Sequence, residues 1–193
     1  MNKINVMLLE DDPVWTDCIS SYIEREHDIA VICCTASKEE AIQSFRLNKV
    51  DVALVDIMLS PNCCDGLDAA YELKQMGLSN IIMLTSLNEK EVILDAFDKG
   101  AMNYITKTSF RDIPQAIREA YNESAGVHPD ASYVLISELK KERRLNKILT
   151  PTEREVYDLK EKGMNKAEIA KYLCYSVDTV KKQIKRIQSK IRG

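Results

Sequence analysis

Short apolar runs alternate with helix-patterned segments through the first 120 or so residues, and four of the runs end in residues suited to binding cations and phosphoryl groups. INVMLLEDD ends at Asp11 and Asp12, VALVD at Asp56, IIMLTS at Thr85 and Ser86, and MNYITK at Lys107. Apolar runs this short, separated by amphipathic stretches, are the pattern of parallel strands joined by helical crossovers. In a parallel sheet the strand C-termini converge on one edge, so carboxylates, a hydroxyl and an ammonium would meet there.

The pattern predicts strands over 4–9, 29–34, 52–55, 81–84 and 103–106, with helices over 14–25, 37–45, 67–76, 92–99 and 113–121. Ser37-x-x-Glu40 is a capping box at a helix start. Val52 to Val55 is apolar throughout, as expected for a strand covered on both faces. The predicted fold class is α/β: a doubly wound, five-stranded parallel sheet followed by a small all-α domain.

The chain carries 27 basic and 30 acidic side chains for a net charge of −3, yet residues 149–193 hold 11 Lys or Arg against 6 Asp or Glu, a local net of +5. A basic module therefore follows an acidic one, and it is either a polyanion-binding surface or a solvated helical face. The division expected is 1–122 for the α/β domain, 123–148 for a partly helical linker and 149–193 for the basic domain. NESAGVHPDAS has turn composition, and SYVLISELKKERRLNK reads as a helix ending in charge. No apolar run approaches a membrane span and no leader pattern opens the chain, so a cytoplasmic protein is expected. Six cysteines without a C-x-x-C indicate neither a disulfide framework nor a zinc site. Most are expected to be small buried groups, with Cys63 and Cys64 more exposed.

The tail is helical in pattern. Thr150, Pro151 and Glu153 make a strong helix start and Gly163 a stop. Asn165-Lys166-Ala167-Glu168 opens a second helix, and after the turn Cys174-Tyr175-Ser176 a third carries Val180, Ile184, Ile187 and Ile191 on one stripe. Two short helices about a tight turn form a helix-turn-helix. Lys181, Lys182, Gln183, Lys185, Arg186, Ser189 and Lys190 occupy the rest of the third helix, where long cations suit phosphates and polar groups suit base edges. Lys166, at the second helix start, is a further candidate for phosphate contact.

Asp56, ending the most buried strand, is the candidate nucleophile. Asp11 and Asp12 are candidates to hold Mg²⁺, Thr85 to donate a hydroxyl to a phosphoryl oxygen, and Lys107 to pair with the same group. His27 and His128 fall outside this set, so slow transfer with a persistent acyl phosphate is expected rather than fast turnover.

The order Glu10-Asp11-Asp12, Asp56, a Pro and an Asp-Gly in the next loop, Thr85-Ser86 and Tyr104-x-x-Lys107 resembles the receiver domain of two-component response regulators. LTPTEREVYDLKEKGMNKAEIAKYLCYSVDTVKKQIKRIQSKI resembles their LuxR/NarL-type output domain. The resemblance implies a flavodoxin-like receiver whose Asp56 accepts a phosphoryl group from a sensor histidine kinase. It implies Asp12, Asp56 and the backbone carbonyl of Met58 as direct Mg²⁺ ligands, Asp11 acting through water, Thr85 and Tyr104 as a switch pair, and Lys107 as the phosphate-sensing lysine. It further implies a homodimer when phosphorylated and contact with double-stranded promoter DNA through Lys181 and Lys185, with Lys182, Gln183 and Thr179 near bases or backbone and Lys190 on phosphate.

Two departures stand out. Pro61 lies five residues after Asp56, and Asp65 and Gly66 nine and ten after it, so the loop is longer by about two residues than in most relatives. Thr108 follows Lys107 where many relatives carry Pro, which removes the usual reason for a cis peptide there. The competing readings are a regulator that binds DNA without phosphorylation and, less favoured because Met58 stands where a second acid is wanted, a Mg²⁺-dependent phosphohydrolase; an enzyme is not the expectation.

Overall fold

The computed structural model describes residues 3–60, 64–124 and 126–192. They fall into two compact units, one reaching Leu135 and the other beginning at Ile136.

In the first unit, β1 (Ile4–Leu9), β2 (Ile29–Thr35), β3 (Val52–Val55), β4 (Ile81–Thr85) and β5 (Asn103–Thr106) form one parallel sheet in the order β2-β1-β3-β4-β5. Alternation along the strands decides which helix each residue meets. Val6 and Leu8 point to one face with Leu54, Leu84 and Ile105, where α1 (Pro13–Ile23) and α5 (Ile113–Tyr121) supply Ile19, Ile23, Ile113 and Ile117. Met7 and Leu9 point to the other with Val55, Met83 and Tyr104, against α2 (Lys38–Leu47), α3 (Asp65–Gln75) and α4 (Lys90–Asp98), which supply Ala41, Leu73, Ile93 and Ala96. All four residues of β3 are buried, which is why this strand shows no polar alternation. At about 1.5–3 kcal/mol for each fully buried aliphatic side chain, these two faces supply the main stabilisation of the unit.

The strand order reverses between β1 and β3, so the crevice at their C-terminal ends is the topological switch point of the sheet. Glu10 N–H donates to Thr35 O at 2.9 Å and Asp56 N–H to Leu9 O at 2.8 Å, which fixes the first residue beyond β1 and the first beyond β3 beside one another. A 3₁₀ turn (Lys107–Asp112) links β5 to α5, and no peptide among the described residues is cis.

The helix starts follow their sequence signals with one variation. Ser37 Oγ accepts from Glu40 N–H at 3.3 Å, but the Glu40 carboxylate reaches Ala36 N–H at 2.9 Å instead of closing a box on Ser37. The cysteine expectation needs correction: Cys18, Cys34 and Cys174 are exposed as well as Cys64, because they sit on an outer helix face, an edge strand and a turn. Pro61 and Cys63, part of the longer loop, lie outside the described residues.

Helix α6 (Pro129–Ile148) gives Ala131 and Val134 to the first unit's core and Leu145 and Ile148 to that of the second. In the second unit α7 (Pro151–Glu161), α8 (Lys166–Tyr172) and α9 (Val177–Arg192) close around Val156, Leu159, Ile169, Val180, Ile184 and Ile187. Thr150 with Glu153 and Asn165 with Glu168 form complete capping boxes. Gly163 ends α7 at φ +84°, a left-handed conformation that glycine adopts without a Cβ penalty. Among the described residues no helix is long and apolar enough to cross a membrane.

Candidate functional site

Three strand ends build the acidic crevice. Glu10 and Asp11 follow β1, Asp56 follows β3, and Lys107 follows β5. Ligand oxygens of Glu10, Asp11 and Asp56 all lie within 4.8 Å of one another. The Lys107 ammonium stands 2.6 Å from Glu10 Oε2 and donates to Asp56 Oδ2 at 2.8 Å, with Glu10, Asp56 and Lys107 exposed by only 3%, 6% and 6%. Three carboxylates, two buried and that of Asp11 exposed, against one ammonium leave a negative excess at this edge of the sheet. That donor set, oxygen only and under-neutralised, fits a hard divalent cation such as Mg²⁺.

The electrostatics follow from this crowding. Burial pushes the Glu10 carboxyl above its ordinary value, and the Asp56 charge adds to the rise against the lowering effect of Lys107. Burial alone would lower the Lys107 ammonium, but Asp56 and Glu10 outweigh it and hold the lysine charged.

Asp12 stands apart from the three clustered carboxylates. Its Oδ1 accepts from Val14 N–H at 2.8 Å and caps α1, with Pro13 in the first turn. Glu10 takes the place in the crevice that the sequence reading gave to Asp12. An Asp immediately before a Pro at a helix start is a capping signal, and it would have separated Asp12 from the acids left for a cation. Met58 N–H lies 3.4 Å from Asp56 Oδ1. Gly66 N–H donates to Ile57 O at 3.0 Å, and Asp65 accepts from Leu59 N–H at 3.1 Å and from the Ser60 hydroxyl at 2.8 Å, which folds the described ends of the longer loop back under Asp56.

Thr85 is buried at the end of β4, its Oγ1 accepting from Leu87 N–H at 3.3 Å. Tyr104 is fully buried and its hydroxyl donates to Leu87 O at 2.6 Å; burial pushes that phenol well above its ordinary range. Trp15, on the first turn of α1, presents its ring 5.2 Å from the Lys107 ammonium, and the sequence reading gave it no role. No spacing rule could have found it, because the contact joins residues 92 positions apart on elements that only the fold brings together.

In the second unit, α9 buries Val180, Ile184 and Ile187 and leaves Thr179, Lys181, Lys182, Lys185 and Lys190 exposed. These cations are not equivalent. Lys190 donates to the buried Glu153 at 2.6 Å and Lys181 to Asp178 at 3.2 Å. The Ser176 hydroxyl accepts from Thr179 N–H at 3.1 Å and caps the helix, while Gln183 is half-buried with its Oε1 turned inward. Lys166 is exposed at the start of α8.

Residues 6–118 match the family described as the response regulator receiver domain. The response regulator protein VraR of Staphylococcus epidermidis is 32% identical over 190 residues, covering 97% of this chain and 90% of VraR. Among solved structures, the RcsB response regulator of Salmonella typhimurium aligns with a TM-score of 0.63 at 25% identity, covering 98% of this chain and 92% of that one. A LuxR-family two-component response regulator from Aurantimonas sp. SI85-9A1 aligns with a TM-score of 0.64 at 26% identity, over 71% of this chain and 98% of that one. With the acidic crevice at the switch point of a β2-β1-β3-β4-β5 sheet, these likenesses identify the chain as a member of the response regulator receiver family.

Proposed function

We propose that this response regulator is a DNA-binding transcriptional regulator switched by phosphorylation of Asp56. The observation that carries the reading is the Lys107 bridge between Asp56 and Glu10, beside Asp11, at the meeting of three strand ends. A carboxylate so placed is oriented by a cation it can later share with a phosphoryl group. In the transfer, an Asp56 oxygen forms the new bond to phosphorus while the bond to the donor breaks, and a sensor histidine kinase is the donor expected. Glu10, Asp11, Asp56 and the Met58 carbonyl would hold Mg²⁺, which when bound offsets charge between the carboxylate and the phosphoryl oxygens.

The chain's own groups then rearrange. Lys107 turns from the carboxylate to a phosphoryl oxygen, and Thr85 gives up Leu87 N–H to donate its hydroxyl to another. Tyr104, tied to the same Leu87, carries that displacement to the α4–β5 face. Phosphorylation favours a homodimer in the cytoplasm that places two copies of α9 in successive major grooves of promoter DNA, Thr179, Lys182 and Lys185 facing the duplex. The proposed division is a receiver over 1–122, a linker over 123–148 and a helix-turn-helix domain over 149–193, with no enzymatic turnover as its purpose.

The test is to treat wild type and Asp56→Ala with a small phosphodonor and Mg²⁺ and weigh the intact proteins. One phosphoryl group on wild type and none on Asp56→Ala supports the reading; equal modification of both sinks it.

A further inference from the structure

We propose that Trp15 is a positioning residue for Lys107, and that its indole face sets how long a phosphoryl group survives on Asp56. The inference rests on the phosphoacceptor reading of Asp56 and extends it to a residue that reading does not use. The Lys107 ammonium is nearly dry and, among the described residues, stands 2.6 Å from Glu10, 2.8 Å from Asp56 and 5.2 Å from the centroid of the Trp15 ring. The two carboxylates take up N–H donors, and the negative face of the indole serves the remaining side of the charge.

A ring face differs from a third carboxylate in what it permits. It attracts the ammonium without fixing a donor direction, so Lys107 can move from the carboxylate to a phosphoryl oxygen without losing that support. Trp15 and Lys107 stand together in the lining of a cavity of about 420 Å³ that Ser86, Asn88, Thr106 and Phe110 help complete. Phe110 is backed in turn by Tyr22, edge to face at 5.3 Å, so this wall is braced from behind. Without the indole, that cavity widens beside Lys107, whose ammonium stands 2.8 Å from Asp56. Water then reaches phosphorus: its oxygen forms a bond there, the bond to Asp56 breaks, the carboxylate is restored, and inorganic phosphate leaves with the water's proton balance passing to phosphate and solvent.

The experiment compares full-length wild type, Trp15→Ala and Trp15→Phe, labelled with acetyl phosphate and Mg²⁺, freed of donor and followed for loss of the acyl phosphate, with a thermal melt of each. Trp15→Ala should still be labelled on Asp56 but lose the group roughly tenfold faster, and Trp15→Phe, which keeps a ring face, should stay within about twofold of wild type. Trp15 is the chain's single tryptophan, so its emission reports the contact directly. It should change on Lys107→Met and, in wild type, return after phosphorylation with the same time course as the label decays. A wild-type decay rate in Trp15→Ala, or equal acceleration in Phe and Ala variants with equal losses of melting temperature, would overturn the proposal. Absence of Asp56-dependent label on wild type would overturn the phosphoacceptor reading itself, a separate and recognisable result.

Discussion

Thr85 and Tyr104 are joined through one residue: Leu87 N–H donates to Thr85 Oγ1 at 3.3 Å, and Leu87 C=O accepts the Tyr104 hydroxyl at 2.6 Å. The two side chains come from neighbouring strands, β4 and β5, and neither can change its partner without disturbing the same short segment before α4. Tyr104→Phe removes the second tie while keeping the ring volume. It should cost about 1 kcal/mol in urea unfolding and leave labelling of Asp56 intact. The phosphorylation-dependent rise in dimer, read by sedimentation, should be reduced in this variant.

The crevice should be more stable with one carboxylate fewer. The Glu10 carboxyl lies above 4.5 because burial and Asp56 disfavour its charge. The proton therefore favours the folded state, and this contribution is complete below pH 4.5 and lost as pH rises through the folded value. Glu10→Gln escapes that loss. It should be more stable than wild type at pH 7, with the two melts converging as pH falls below 4.5. Mg²⁺ binding, followed by calorimetry, should weaken in the same variant.

Much of this was legible in the sequence, for identifiable reasons. The strands could be placed because the apolar runs of β1, β3 and β4 are buried on both faces and have no competing helical period. Asp56, Thr85 and Lys107 could be expected together because parallel strands deliver their C-termini to one edge. The division of labour among Glu10, Asp11 and Asp12 was harder, since three consecutive acids look alike until one is claimed by the helix that follows. Lys190 shows the same limit from the other side. Its position on the polar face of α9 suggested a phosphate contact, but an ion pair to Glu153 of α7 depends on packing that no periodicity encodes.

Gly66 should tolerate no side chain. A Cβ there would stand 1.7 Å from the Asp56 carbonyl oxygen and 2.9 Å from Ile57 Cα, both backbone atoms that cannot rotate aside. Gly66→Ala should lose about 3 kcal/mol or more of stability in denaturant melts. Asp56 labelling should fall with it, because relief of the clash moves the nucleophile's own peptide.

The basic face of α9 should divide by what each lysine already holds. Lys185 is exposed and Lys190 is paired with Glu153. Lys185→Ala should lower the slope of log affinity for duplex DNA against log salt by about one. Lys190→Ala should leave that slope nearly unchanged and instead lower the melting temperature of the helical unit, since it takes the ammonium from the buried Glu153 carboxylate and leaves it the Thr150 N–H.

The central claim is that chemistry at Asp56 controls binding by α9, and the most direct measurement is the affinity of one full-length preparation for a selected duplex before and after acyl phosphate formation, alongside Asp56→Ala. The account predicts affinity that rises with label on wild type, falls again as the label is lost, and stays fixed at the lower value in Asp56→Ala. Equal and label-independent affinity in both proteins would contradict it, leaving a DNA-binding protein whose receiver is not its switch.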